Sequence, residues 1–411
     1  MLLGKTGQRS VIVLSYLVTF HVLLAYGLPG AVFVLLAIGM GILYARIRAE
    51  GAAAISISLV VATLLYSLAL KVTGFGDTIY YRPDEILSEY RDDLGHHAYR
   101  RGETKRMHMP YGDLQPMTRT RIGVARDVEY HIDNYGFRND ADYAGEPYVL
   151  VGDSFIVGTG NTQTDLLSAQ LKHDYGLAGY NLAHPGGLAD YAEYVEVFSR
   201  DHHGFRVLVF VFEGNDFELE NEGRDSTPSR LLTNYFKMFS NTNVYRVTKS
   251  LVKRATRLSQ ISGEGYVTMR DIRRHRVALL TRYIEATKVK ELPKNEKFEK
   301  ALTRLKQYHA RVYFIPTNYR VYYSELEGAQ APTLPNANWE YLKGLCTREG
   351  LDCTNLTAAM ARAGEASLAQ GELLWWPDDT HWNRNGIATA ARAVADTLKR
   401  GDLSPVVARR N

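Results

Sequence analysis

Four short segments of this 411-residue chain carry residue types that could together perform nucleophilic acyl transfer. Ser154 stands in Gly152-Asp153-Ser154, directly after the apolar run YVLV, and His381 stands in Asp378-Asp379-Thr380-His381-Trp382 near the far end of the chain. A serine hydroxyl is a weak nucleophile until a base takes its proton, and a histidine becomes that base when a carboxylate fixes its tautomer. Gly186 in His184-Pro185-Gly186-Gly187 and Asn215 in Glu213-Gly214-Asn215-Asp216 supply two kinds of oxyanion donor, a closely approachable backbone N–H and a side-chain amide. Each position alone has a plainer reading. Ser154 or Asp153 could cap a helix, His381 could be a surface histidine, and Asn215-Asp216 could form a turn. The catalytic reading explains all of them at once.

It requires a fold that brings distant segments to one edge. From Pro147 onward, short apolar runs alternate with helical patterns at spacings suited to βα units. Strands are predicted over Tyr148 to Val151, Tyr180 to Ala183, Val207 to Phe212, Val312 to Ile315 and, more weakly, Leu351 to Thr354. Helices are predicted over Gln163 to Tyr175, Leu188 to Arg200, a segment ending near Glu349, and Asn385 to Arg400. The run VLVFVF suits a strand buried on both faces. The pattern implies an α/β domain with a doubly wound, flavodoxin-like parallel sheet of five strands and its ligand site at their carboxyl ends. Ser154, Gly186 and Asn215 each follow a predicted strand, and His381 follows the fifth.

These blocks, in this order, resemble the SGNH/GDSL hydrolase family over roughly residues 130 to 400. The resemblance implies Ser154 as nucleophile, the Ser154 and Gly186 backbone N–H groups and the Asn215 amide as the oxyanion hole, and His381 as base. The lead-in NYGFRND and Phe314-Ile315-Pro316-Thr317 look like membrane-anchored bacterial members. One departure concerns the third block, normally Gly-x-Asn-Asp, where Glu213 takes the first glycine position and puts the local backbone path in question. The acid is open between two residues. The family's usual Asp-x-x-His spacing selects Asp378, whereas the Asp-x-His-Trp pattern of alginate-acetylation-type relatives selects Asp379 and is the closer match.

The first 72 residues differ from the rest. Between Val11 and Ala45 the only ionisable residue is His21, a run too long for one membrane helix of about 20 residues, and Gly27-Leu28-Pro29-Gly30 supplies the break. Ala52 to Val72 reads as a third span. Lys5, Arg9, Arg46 and Arg48 place the N-terminus inside and everything after Val72 outside, and the resemblance to membrane-anchored bacterial members makes this a bacterial inner membrane with a periplasmic or extracytoplasmic domain. The alternatives are a cleaved signal peptide and a two-span reading, with Val11 to Ala45 as one kinked element, that leaves the rest in the cytoplasm. The expected organisation is therefore an anchor over 1–72, a polar connector and lead-in over 73–146, and the hydrolase-like domain over 147–401, with a basic helical insertion at about 217–308. Residues 230–311 hold 20 Lys+Arg against 6 Asp+Glu. Within that stretch Asn243 to Ser259 is amphipathic, suiting a solvated face, anionic headgroups or an anionic polysaccharide.

Composition excludes other classes. At 45% hydrophobic and 23% charged the chain is neither disordered nor mostly membrane helices, and two cysteines leave no room for a disulfide scaffold or Cys-rich metal module. Cys346 and Cys353 could pair or stay as buried thiols. A net charge of +4 gives no reason to expect nucleic acid, and no P-loop, dinucleotide fingerprint or HExxH calls for a cofactor or metal. Trp375, Trp376 and Trp382 beside His381 could stack on sugar rings or fill the core. The expectation is a serine esterase or O-acetyltransferase acting through an acyl-enzyme on Ser154, with an acylated polysaccharide or other ester as substrate. A transferase would need an acyl-donating membrane partner. Alternatives are a non-catalytic polysaccharide-binding or assembly protein and a lipid-directed esterase.

Overall fold

The computed structural model describes residues 84, 87–91, 94, 96–118, 121–218 and 266–402, together with Leu65. The chain divides into two units, 1–80 with 222–256, and 81–221 with 257–411. The three predicted membrane spans and the amphipathic basic run lie, Leu65 apart, outside the described residues. Among the described residues no helix is long and apolar enough to cross a membrane.

The described residues of the segment expected to be a connector and lead-in form regular structure. Two antiparallel ribbons occupy it: β1 (Ser88–Arg91) with β2 (His96–Tyr99), and β3 (Thr104–Met109) with β4 (Arg126–His131). Polar sequence such as TKRMHM hides a strand because only alternate residues turn inward. In β4 the inward set is Arg126, Val128 and Tyr130.

The expected strands follow. β5 (Tyr148–Val151) leads into the short helix α1 (Ser154–Val157) and then α2 (Leu167–Tyr175). β6 (Gly179–Asn181) leads to α3 (Leu188–Phe198), and β7 (Arg206–Phe212) to the long insertion. The described part of that insertion is not all helix. It contains the hairpin β8 (Val267–Ile272) and β9 (His275–Leu280), then α4 (Thr281–Thr287) and α5 (Glu296–Lys306). The hairpin turn uses Arg273 at φ 51°, a left-handed residue that is not glycine, so no turn signal marks it in the sequence. The chain closes with β10 (Arg311–Ile315), α6 (Asn318–Val321), α7 (Tyr323–Glu327), α8 (Ala337–Glu349), β11 (Asp352–Asn355), α9 (Thr357–Gln370) and α10 (Arg384–Asp402).

Five strands form one parallel sheet in the order β11-β10-β7-β5-β6. The central strand β7 explains why helices cover both faces. Val207, Val209 and Val211 join a core with Leu188 and Val195 of α3, Leu302 of α5 and Leu342 of α8. Leu208, Phe210 and Phe212 join the opposite core with Leu171 of α2, Met360 of α9 and Val394 of α10. Burying each such side chain contributes about 1.5–3 kcal/mol, so a strand with six consecutive apolar residues belongs at the centre. The edge strand β6 is covered by the NYGFRND lead-in. Asn139 accepts from the Asn181 N–H at 2.9 Å and donates to its C=O at 2.9 Å, imitating a neighbouring strand. Cys346, at the end of α8, and Cys353, in β11, form a disulfide.

Glu213 stands where the resemblance leads one to expect a glycine. It leaves β7 buried and takes a forked pair with Arg320 of α6, Nε to Oε1 at 2.8 Å and Nη2 to Oε1 at 2.6 Å, while Oε2 accepts the Thr317 N–H at 3.1 Å. The pair ties the end of β7 to the loop after β10. Gly214 keeps the glycine role itself, because a Cβ there would lie 2.4 Å from the Phe212 ring and 2.8 Å from Tyr283. Removing one partner of a buried pair strands the other charge, so Glu213→Ala and Arg320→Ala are each expected to lower unfolding free energy by about 3–5 kcal/mol. Denaturant unfolding checks this; a loss under about 1 kcal/mol would show the pair to be energetically idle.

Candidate active site

The segment carrying Ser154 is set by a cap. Asp153, extended, accepts the Phe155 N–H at 2.9 Å and so starts α1, which leaves the Ser154 hydroxyl out of the capping role. Ser154 Oγ instead lies 2.7 Å from His381 Nε2. Burial pushes the Asp153 carboxyl up to about 6, against the Phe155 N–H and His381, which act to lower it. The far end of α1 is held by Arg138 of the lead-in, a buried guanidinium that donates to the carbonyls of Val157 at 3.1 Å, Gly158 at 2.9 Å and Asn161 at 2.7 Å. Asn161 in turn donates to the Trp382 carbonyl at 2.8 Å, joining the serine loop to the histidine loop.

His381 is presented by a closed loop. Trp375 and Trp382 pair across its base, and the Trp376 N–H donates to the His381 carbonyl at 3.2 Å. Trp375 and Trp382 are core residues, whereas Trp376 is half-buried with the Arg126 guanidinium 4.4 Å over its ring. His381 Nδ1 lies 2.6 Å from Asp379 Oδ1, which also accepts the His381 N–H at 3.2 Å. Since a carboxylate only accepts, Nδ1 carries the proton and Nε2 is left to receive one from Ser154.

The two aspartates have different partners. Asp379 spans His381 on one oxygen and, on the other, Arg126 Nη2 at 2.6 Å and the Asp113 N–H at 3.3 Å. Asp378 turns away: it accepts the N–H groups of Gly112 at 2.6 Å and Val124 at 2.9 Å, and pairs with Arg126 Nη1 at 3.1 Å. Asp379 is thus the carboxylate on the imidazole, and Asp378 anchors the loop between β3 and β4. Arg126 bridges both and escaped the sequence reading. Its signal was an arginine at an inward position of an alternating run, beside Val128 and Tyr130. Asp113, Asp379 and His381 gather ligand-type atoms within 4.8 Å. The Arg126 cation already supplies positive charge to Asp379, and Asp113 accepts from Thr380 N–H and Oγ1, each at 3.0 Å.

The residues expected to form the oxyanion hole sit in loops that follow neighbouring strands. The order β6-β5-β7 sets the loops bearing Gly186, Ser154 and Asn215 side by side with the serine in the middle. Asn181 secures the first of these, its Nδ2 donating to the Ile156 carbonyl at 3.0 Å and its Oδ1 accepting from Ala183 at 3.1 Å. A Cβ on Gly186 would lie 2.6 Å from Asp190 Oδ2 and 3.1 Å from its Cβ, so a side chain there would displace Asp190. Asn215 is half-buried, and its Oδ1 is buried with no donor among the described residues. Next to Gly186, His184 is buried and driven down to about 3, chiefly by burial, so it is a neutral ring at physiological pH.

No family model matches the sequence, and no curated protein matches it. One solved chain, whose title reads only "Crystal structure of", has 14% sequence identity and a TM-score of 0.28, covering 62% of this chain and 97% of its own. A likeness that remote speaks to neither fold family nor activity.

Proposed function

We propose that this chain is an SGNH/GDSL-type serine esterase or O-acyltransferase, anchored in a bacterial inner membrane with its catalytic domain outside the cytoplasm. Its substrates are acetyl groups on a cell-envelope or secreted polysaccharide. The observation that carries the reading is the continuous hydrogen-bonded series from Ser154 through His381 to Asp379, at 2.7 and 2.6 Å. The sheet order that sets Gly186 and Asn215 on either side of the serine supports it, as does the Cys346–Cys353 disulfide, which suits an oxidising compartment. The anchor and its orientation rest on the sequence of residues 5–72.

In the proposed reaction Ser154 Oγ attacks the ester carbonyl carbon while its proton passes to His381 Nε2, and Asp379 stabilises the resulting imidazolium. The tetrahedral oxyanion is met by the Ser154 and Gly186 N–H groups and the Asn215 amide. Collapse expels the sugar alkoxide, which takes the proton from Nε2 and leaves an acyl-serine. Water, or an acceptor hydroxyl in a transferase, then gives its proton to Nε2 and attacks the acyl carbon, and Ser154 departs reprotonated.

The test treats the purified full-length chain with a fluorophosphonate and with p-nitrophenyl acetate. The expected result is acetate release together with one labelled peptide, the one carrying Ser154. Folded protein that neither labels nor turns over would overturn the reading and favour a binding role.

A further inference from the structure

The loop carrying Gly186 is held by a set of side chains that the triad does not use. Gly186 and Gly187 share one peptide unit, and two residues of α3 grip it from opposite sides. The Tyr191 hydroxyl lies 2.9 Å from the Gly186 carbonyl oxygen, and the Gly187 N–H donates to Asp190 Oδ2 at 2.8 Å. A Gly-Gly pair has the softest backbone a chain can offer, so this grip removes freedom that the Gly186–Gly187 peptide would otherwise have.

Tyr191 has a second neighbour. Its oxygen is 3.2 Å from Asp216 Oδ1, while Asp216 Oδ2 accepts the Phe212 N–H at 2.8 Å. The phenol holds one proton, and an ionised Asp216 and the Gly186 carbonyl are both acceptors. Both contacts are hydrogen bonds if the phenol proton is shared between the two oxygens, the Gly186 carbonyl being the nearer, or if Asp216 carries a proton on Oδ1 and gives it to the phenol oxygen, freeing the phenol proton for Gly186. The surroundings favour that state. Asp216 is pushed well above the ordinary carboxylate range by burial, and the Asp153 and Asp190 carboxylates push the same way, against the Phe212 N–H and Tyr191.

We infer that Tyr191 is a positioning residue for the oxyanion hole, relaying a hydrogen bond from Asp216 to the Gly186 carbonyl so that the Gly186 N–H is aimed before the reaction begins. The inference rests on the esterase reading and assigns a task within it. Displacing a group that meets the transition state by even about 1 Å can cost on the order of 100-fold in rate.

The experiment uses full-length Tyr191→Phe, Asp216→Asn and Asp216→Ala. With p-nitrophenyl acetate, Tyr191→Phe is expected to lower kcat by about 10- to 100-fold with KM within about twofold, because the loss falls on the transition state and not on substrate binding. Asp216→Asn, whose Nδ2 can still donate to the phenol, should retain more kcat than Asp216→Ala. A second readout needs no activity: hydrogen exchange of the peptide spanning residues 184–190 should quicken in Tyr191→Phe and Asp216→Ala and less in Asp216→Asn. Unchanged exchange and kcat in Tyr191→Phe, or a raised KM with kcat intact, would overturn the inference. If the wild type shows no Ser154-dependent turnover, the esterase reading falls, and the exchange measurement still decides whether Tyr191 clamps the glycine loop.

Discussion

Ser154→Ala is expected to lower kcat for an acetyl ester by about 10⁴- to 10⁶-fold, and His381→Ala by a similar factor, with the double variant losing little more than either. The reason is in the geometry. Ser154 Oγ and His381 Nε2 are 2.7 Å apart, and in the proposed mechanism they share one proton transfer, so removing either member disables the same step. What survives is the oxyanion stabilisation and substrate binding of the remaining site. Steady-state kinetics on the three full-length proteins, with unfolding midpoints alongside, measures this. Additive losses would mean that the serine and histidine act in separate steps. Intact biological function in Ser154→Ala would point to the binding or assembly role.

The sheet was readable because burial on both faces leaves a plain mark. YVLV and VLVFVF need no alternation to be recognised, and the observed strands Tyr148–Val151 and Arg206–Phe212 fall within a residue of the expected limits. The closing helix was equally visible through its alanine stripe and was found over Arg384–Asp402. The ribbons β1–β4 and the β8–β9 hairpin were not. In β3 and β4 more and less exposed residues alternate within a polar sequence, and at the β8–β9 turn a left-handed Arg273 takes the place of the glycine or asparagine that usually marks such a turn. A polar ribbon owes its stability to a ladder and to the surface it covers, neither of which is written in one strand's own sequence.

The site divides along the same line. Residues whose chemistry is local, such as Ser154 after a strand and His381 beside two aspartates, could be picked out singly. Residues that act by long-range contact could not. Arg126 reaches Asp378 and Asp379 from 252 and 253 positions away, and Arg320 reaches Glu213 from 107. Glu213 read as a defect in a glycine motif, and its partner turns it into a strut. Tyr191 was not singled out within the helix predicted over Leu188 to Arg200, since nothing in its spacing tells that its hydroxyl meets a glycine carbonyl.

The choice between the two acids is where the structure goes furthest beyond the sequence, and it makes opposite predictions for two adjacent residues. Asp379→Asn is expected to lower kcat by about 10⁴-fold while the protein stays folded, because an amide facing Nδ1 no longer enforces the tautomer that leaves Nε2 free for Ser154. Asp378→Asn should do the reverse. Its carboxylate accepts from Gly112, Val124 and Arg126 and does not touch the imidazole. An amide there sets a donor against a donor, at a cost of about 1–3 kcal/mol in stability. Its kcat should stay within about tenfold of wild type, since Asp379 remains in place. Arg126→Met bears on both, leaving two buried carboxylates without their shared cation, and should destabilise by about 3–5 kcal/mol. Kinetics and denaturant unfolding on the same preparations separate the cases. A 10⁴-fold loss in Asp378→Asn at unchanged stability, with Asp379→Asn nearly active, would exchange the two roles.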